Sequence, residues 1–513
     1  MGNIVYLPKN LDLDEILKKK KTEIKNFKKD NLVYILGLVV KIRSCNKEYL
    51  YEEYIPLKAA YIQSIIRNYK EYIEYAKDNG ILECDDIYIE GEKCYGYKFS
   101  TLYDEVDLKG VNLTDLKVIN SIKKNNPLSR PKKYQPLYKW YEGIEIDYEG
   151  ALNCIIELKD KISKEAKTIE KTSYVKGFDG KITPKTVSTK LNVDCFYRAA
   201  LGNINYIKDK EFNLSVDKRC GRLHSNITNM KKELRDFLTY KGVELVAVDL
   251  KNCQPFLSTA LFKPEFYEKN KKLRKYKGVH YKDYSTVSNM YKQGTMLSNR
   301  IKVNPIYLTL VKNSGTSVIA DISTYFDYVL NGTFYEEFAK MIKDETGKIV
   351  SDRAELKKVM FQVFFTSNSY KGKRLGAEYK NIFNKHFPNV YKLFEVIKKG
   401  KDKDDKSCKP LLAVLLQNIE SRLILDKCCG RITKERPDLF IITIHDSIVT
   451  TKGNEEYNKK VIEEEALNYI GNKPKVEFEY WKNPQKSIVV KTNPKQLSPD
   501  LASKKNYAVK ETS

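Results

Sequence analysis

Two aspartates carry the clearest chemistry in this sequence. Asp446 lies in FIITIHDSIVTT, residues 440–451, where His445, Asp446 and Ser447 interrupt two runs of β-branched and apolar residues. That pattern predicts a hairpin of two buried strands with a carboxylate pushed out at its tip. Such a carboxylate is satisfied either by the backbone of its own turn or by a cation. The run LVAVDL, residues 245–250, delivers Asp249 in the same way and leads into Lys251, Asn252 and Gln254. Set side by side, the two strands bring both carboxylates within reach of one pair of divalent ions. That is the arrangement of two-metal phosphoryl transfer, in which one ion lowers the pKa of an attacking hydroxyl and the other neutralises leaving pyrophosphate. Few ligands, all of them oxygen, point to Mg²⁺, with Mn²⁺ as a substitute.

Between these strands lies SDRAELKKVMFQVFFTSN, residues 351–368, in which Arg353, Lys357, Phe361 and Phe365 recur every four residues. On a helix they form one slowly drifting stripe of two cations and two rings. Leu356, Val359, Met360 and Val363 fall on roughly the opposite side and supply the core face. An amphipathic helix with a thick apolar face is the plain alternative. It leaves unexplained why two rings should line up with two cations. Cations hold a triphosphate, and a ring stacks on a base.

The rest of the chain has to position these groups and meet a ligand of matching charge. Its 513 residues are enough for two to four lobes, and 92 Lys and Arg against 67 acidic residues give a net charge of +25. The cations are spread along the chain, which favours a polyanion such as nucleic acid, although solubility or genomic base composition also produces lysine. Thirty-seven tyrosines add rings suited to base stacking. Ten cysteines without a Cys-x-x-Cys pair, and only four histidines, argue against zinc and for reduced thiols. The N-terminus lacks the pattern of a signal peptide and no apolar run approaches a membrane span, so a soluble, cytoplasmic protein with no membrane partner is expected.

In chain order, residues 1–30 read as a basic arm. Residues 31–105 read as a winged-helix-like domain: a strand at LVYILGLVV, a helix from Leu57 to Ala76 stopped by Asn79-Gly80, and a hairpin of residues 87–89 and 95–99. Lys58, Arg67 and Lys70 would face a groove, the alternative being a packing module. Residues 106–215 read as a helical region, including a helix over 150–170. The lysine runs at 18–21 and 399–406 read as exposed segments, and residues 486–513 as a basic tail.

The order of RCGRLHSNITNMKKELRDFL (219–238), VAVDLKNCQPFL (246–257), the Arg353–Phe365 helix and IHDS (444–447) resembles family A DNA polymerases, over about residues 216–485. That family has a Thr-Gly-Arg-Leu segment, an Asp-Tyr-Ser-Gln-Ile-Glu motif, an Arg-x3-Lys-x3-Phe-x3-Tyr-Gly helix and a His-Asp-Glu motif. Its single-subunit phage RNA polymerase relatives have His-Asp-Ser, as here. The resemblance implies an α+β right-hand fold. Its palm comes from 216–262 and 401–485, its fingers from 263–400 with an insertion at about 263–340, and its thumb-like helices from 106–215. It implies Asp249 and Asp446 as ligands of two Mg²⁺ ions, and Arg353 and Lys357 on the triphosphate with Phe361 stacked on base or sugar. Arg222, His224, Gln417 and His445 would contact primer and template. DNA primer-template and dNTPs are then the partners.

The departures bear on sugar choice. Gln254 stands where the family has a glutamate that crowds the ribose 2′ position, Phe365 where it has tyrosine, and Thr366 where it has glycine. Loss of the tyrosine hydroxyl argues against strict ribonucleotide use. No Asp-x-Glu site in a strand context precedes residue 216, so a DNA polymerase without proofreading is expected. The alternatives are an RNA polymerase or primase, a template-independent nucleotidyltransferase, and a non-catalytic nucleic-acid-binding protein derived from a polymerase.

Overall fold

A computed structural model describes residues 3–481 except 21, 104–106, 126–131, 166–167, 177–181, 218, 264–265, 267–316, 367, 369–376 and 399–410. The expected basic tail, the 399–406 lysine run and most of the expected insertion lie outside the described residues. At the centre is a six-stranded antiparallel sheet built on the strand Val243–Leu250. One edge of this strand pairs with Ser447–Thr451, which pairs in turn with Ile441–Ile444. The other edge pairs with Val476–Tyr480 and, at its start, with Leu238–Tyr240, beyond which lies Ile144–Ile146. Leu245, Val246, Val248 and Leu250 are all buried. Both faces are covered, so side chains pointing either way are apolar and strict alternation is lost.

One hydrophobic core runs from Tyr134 to Trp481 and includes the helices Phe334–Thr346, Arg353–Phe365, Pro388–Lys398 and Leu411–Ser421. The last of these continues through a π-helical stretch, Arg422–Cys429, into Gly430–Glu435. Helices on an antiparallel sheet match the expected α+β class. Residues 106–215 were expected to be helical and do supply the helices Tyr148–Lys164 and Val193–Lys208. They also give the central sheet its edge strand Ile144–Ile146 and form a solvent-facing two-stranded ribbon, Thr168–Lys176 with Ile182–Lys190.

A second core gathers residues from Val5 to Ile119, with Tyr206 from the helix Val193–Lys208. Here the structure corrects several expectations. LVYILGLVV lies inside the helix Lys29–Cys45, whose residues 31–40 are all buried. A continuous apolar run does not distinguish a buried strand from a buried helix. Residues 1–30 are not a loose arm: Ile4–Pro8 pairs with Leu108–Asn112, and Leu7, Leu11 and Leu13 are buried. A Cβ on Gly37 would collide with Val5, so glycine there lets the strand lie against the helix. The expected single helix is two, Ala59–Ile65 and Tyr69–Asp78. The hairpin is Leu82–Cys84 with Gly96–Phe99, flanked by Ile55–Pro56, while residues 87–89 contribute only a bridge from Ile89 to Lys93. Residues 55–103 hold six Lys and Arg against eight Asp and Glu. The helix Tyr69–Asp78 exposes Lys70 and Lys77 beside Glu71, Glu74 and Asp78, so its surface lacks the positive field that phosphate tracking needs. No described helix is long and apolar enough to cross a membrane.

Candidate active site

Sheet register brings the two aspartates together. Asp249 is opposite Ser447 on one neighbouring strand and Glu477 on the other. Asp446 precedes Ser447 in the two-residue tip between Ile441–Ile444 and Ser447–Thr451, which the Ser447 hydroxyl closes by donating to the Ile444 carbonyl at 2.9 Å. The carboxylates sense one another. Burial first, and then the charge of Asp446, push the Asp249 carboxyl up to about 8. Burial also raises Asp446, against the pull of its own backbone amide, the Cys253 thiol, Arg222 and Lys357. The backbone is bent at both positions: His445 has φ +54° and Asn252, three residues after Asp249, also has φ +54°. Left-handed geometry in non-glycine residues is costly and gathers at functional sites.

Two neighbouring carboxylates, one on the central strand and one in the hairpin tip beside it, each raised by burial against the pull of nearby cations, suit a divalent cation. Among the described residues no group of three or more His, Cys, Asp or Glu side chains is arranged to hold a metal.

The stripe on Arg353–Phe365 faces this centre at its N-terminal end. Leu356, Val359, Met360 and Val363 are buried; of the stripe, Lys357 and Phe361 are exposed, while Phe365 is half-buried against the same core. Arg353 Nη2 is 3.4 Å from Asn252 Oδ1, and its guanidinium lies 3.9 Å from Glu477 and over the Tyr335 ring. Lys357 is exposed, and its charge lowers the pKa of both aspartates. Phe361 is 51% exposed and stacks on Phe365, with ring centroids 5.3 Å apart and an interplanar angle of 27°.

The remaining candidates converge from another side. Gly221, at φ +72°, turns the chain so that Arg222 reaches inward. Its Nε and Nη2 donate to Glu420 Oε1 and Oε2 at 2.8 and 2.6 Å. Gln254 Nε2 donates to the same Glu420 Oε2 at 2.8 Å, and Gln254 Oε1 is buried without a partner among the described residues. The Cys253 thiol sits between Glu420 and Asp446. Arg222 and Gln254, candidates for opposite ends of the site, are thus tied to one carboxylate that is 1% exposed. Burial and the charge of Asp446 push Glu420 up to about 7, while Arg222 and Gln254 pull it down. His224 and His445 meet edge to face at 5.9 Å, and burial lowers the His224 pKa. Gln417 lies one turn before Glu420, and its neighbour Asn418 donates to the Arg219 carbonyl at 3.1 Å.

Sequence reasoning missed Glu420, Glu477 and Cys253. Glu420 had a signal: it falls on the same helical face as Leu416 and Leu423, where an unpaired carboxylate is costly. Glu477 pairs with Lys251 at 2.9 Å on a strand that alternates polar and apolar residues, so nothing local marks it.

No family model matches the chain, and no curated protein matches it. Among solved structures the chain is similar to the POL domain of Pol1 from M. smegmatis in complex with DNA primer-template and dNTP. The identity is 13%, covering 72% of this chain and 73% of that chain, with a TM-score of 0.34.

Proposed function

We propose that this chain is a template-directed nucleotide polymerase that joins the 3′-hydroxyl of a DNA primer to an incoming deoxynucleoside triphosphate. The observation that carries this reading is the pair Asp249, half-buried on the central strand, and Asp446, half-buried in the hairpin tip beside it, with Arg353 and Lys357 on a helix facing them. The resemblance of four motifs in order to family A polymerases supports it. On this reading residues 216–262 and 401–485 form the palm, and the polymerase acts without proofreading.

Asp249 and Asp446 would hold two divalent ions, which when bound activate the hydroxyl and neutralise charge on the phosphates. The protein's own groups do the rest. Lys357 and Arg353 supply fixed positive charge where a triphosphate would lie, and the guanidinium is pre-aimed by Asn252 and Glu477. The exposed face of Phe361, backed by Phe365, offers a base a stacking surface. Glu420 fixes the Gln254 amide, because a carboxylate only accepts and so must face the amide nitrogen.

Primer extension on a defined template tests the reading, with dNTPs and NTPs in separate arms and Asp446→Asn beside the wild type. Template-dependent extension with dNTPs by the wild type alone is expected. Equal extension by both proteins would refute the assignment of Asp446. Binding of DNA with no incorporation of either nucleotide would favour a non-catalytic binding protein.

A further inference from the structure

The helices Tyr148–Lys164 and Val193–Lys208 pack against each other, and the chain between them leaves the body of the protein as the ribbon of Thr168–Lys176 and Ile182–Lys190. The two strands pair along their whole length, from Thr168 opposite Lys190 to Lys176 opposite Ile182. None of the ribbon's described residues is buried or belongs to a hydrophobic core, and Ile169 and Val175 are 37% and 43% exposed. The Tyr174 hydroxyl donates to Glu92 Oε2 at 2.7 Å, a tie to the N-terminal unit that is itself exposed. A two-stranded ribbon without a core is at best marginally stable in water, so one this long points to a partner.

Charge names the partner. From Thr168 to Lys190 the sequence holds five lysines against two acids, Glu170 and Asp179. Lys185 and Lys190 are exposed and form no ion pair among the described residues. Five positions apart on one strand, they lie on opposite faces of the ribbon. Thr183, Thr186 and Ser188 add exposed hydroxyls, which donate to phosphate as lysine does. Pro184 and the lysines are the residue types that keep an open strand edge from recruiting another strand, so neither a second copy nor a peptide strand suits it. Single-stranded nucleic acid is held by stacking its bases on rings, and Tyr174 is the ribbon's only ring among the described residues. A duplex asks instead for cations and hydroxyls along two rows of phosphates. Its major groove, about 12 Å wide, admits a two-stranded ribbon. Strands of this length, at about 3.3 Å per residue, run about 30 Å, close to one duplex turn of about 34 Å.

We infer that the ribbon is a duplex-binding arm, which lies in a groove of the primer-template with Lys185 toward one phosphate row and Lys190 toward the other. The inference rests on the reading that a primer-template is the partner, and it places part of the grip outside the candidate active site.

The test measures binding of a DNA primer-template with a stem of about two turns, and of its template strand alone, by the full chain from 50 to 200 mM salt. Lys185→Glu with Lys190→Glu should raise the duplex Kd at least tenfold and lower the salt slope by about two, while affinity for the single strand changes by less than about threefold. Both positions are exposed, so Tm should hold. Lys70→Glu with Lys77→Glu makes the same change of net charge on the N-terminal unit and should leave the duplex Kd where it is. Replacing residues 168–190 by a short Gly-Ser linker should lose at least as much duplex affinity as the double charge reversal. A duplex Kd and slope unchanged by the ribbon variants overturns the proposal. So does a loss matched by the Lys70 and Lys77 pair, or one equally large for the single strand. Primer extension separates the arm from the chemistry: at saturating duplex the Lys185 and Lys190 variant should extend at the wild-type rate. A wild type that binds duplex through the ribbon but incorporates no nucleotide refutes the polymerase reading and leaves the arm standing.

Discussion

Binding of Mg²⁺ to this chain should release a proton. The perturbation is pH, and its magnitude follows from Asp249, whose carboxyl is raised to about 8 in the metal-free protein by burial and by Asp446. A pair so raised keeps about one proton at neutral pH, shared between Asp249 and Asp446, and that proton must leave for the carboxylates to take up a cation. Affinity for Mg²⁺ should therefore fall close to tenfold per unit as pH drops from 7 to 6, and level off above about pH 9. Calorimetry in two buffers of different ionisation enthalpy gives the proton count directly. Affinity independent of pH between 6 and 8, with no proton released, would refute the coupled-carboxylate reasoning.

The same shift fixes the sign for stability. Because the folded pKa of Asp249 lies above its unfolded value, the native state binds more protons than the unfolded one between about pH 4 and pH 8. Metal-free stability should therefore decline as pH rises through that window, by at most about 1.4 kcal/mol per unit. Asp249→Asn should flatten the decline and raise stability at pH 8, and added Mg²⁺ should do so in the wild type only.

Other perturbations separate the roles of neighbouring groups. Lys357→Ala removes an exposed cation whose charge reaches both carboxylates and should raise the KM for nucleotide at least tenfold with little change in Tm, read by steady-state primer extension. Phe361→Ala, at a ring already half in water, should lower incorporation while leaving thermal stability within about 0.5 kcal/mol of the wild type. Glu420→Ala strands the Arg222 guanidinium and should destabilise the fold by about 3–5 kcal/mol in denaturant titration, whereas Glu420→Gln should cost less and mainly alter discrimination between dNTP and NTP. Lys70→Glu, on a helix that exposes two lysines beside Glu71, Glu74 and Asp78, should leave both DNA affinity and its salt slope unchanged in binding titrations from 50 to 200 mM salt.

What could be read from the chain beforehand depended on whether a local pattern has one physical meaning. The hairpin at Ile441–Thr451 did, because two apolar runs around a short polar break fit few other structures. The helix Arg353–Phe365 did too, since four-residue spacing names its faces. Lys29–Cys45 did not: an unbroken apolar run satisfies a buried strand and a buried helix alike, and tertiary packing, with Gly37 against Val5, settled it. Long-range pairing was out of reach of any local pattern. Arg222 and Glu420 are 198 residues apart, and Arg43 meets Cys195 across 152.

This difference changes how the candidate site is understood. Read singly, Arg222 and Gln254 were one group for primer and one for nucleotide, each acting alone. In the fold they share Glu420, whose own charge is opposed by Asp446 and favoured by Arg222. A cation taken up at Asp446 relieves that opposition and strengthens the carboxylate's hold on both partners. The carboxylate pair is therefore coupled to the groups at both ends of the site through one buried side chain. A double-mutant cycle of Arg222→Lys with Gln254→Ala should accordingly show non-additive losses in kcat/KM, which two independent contacts would not produce.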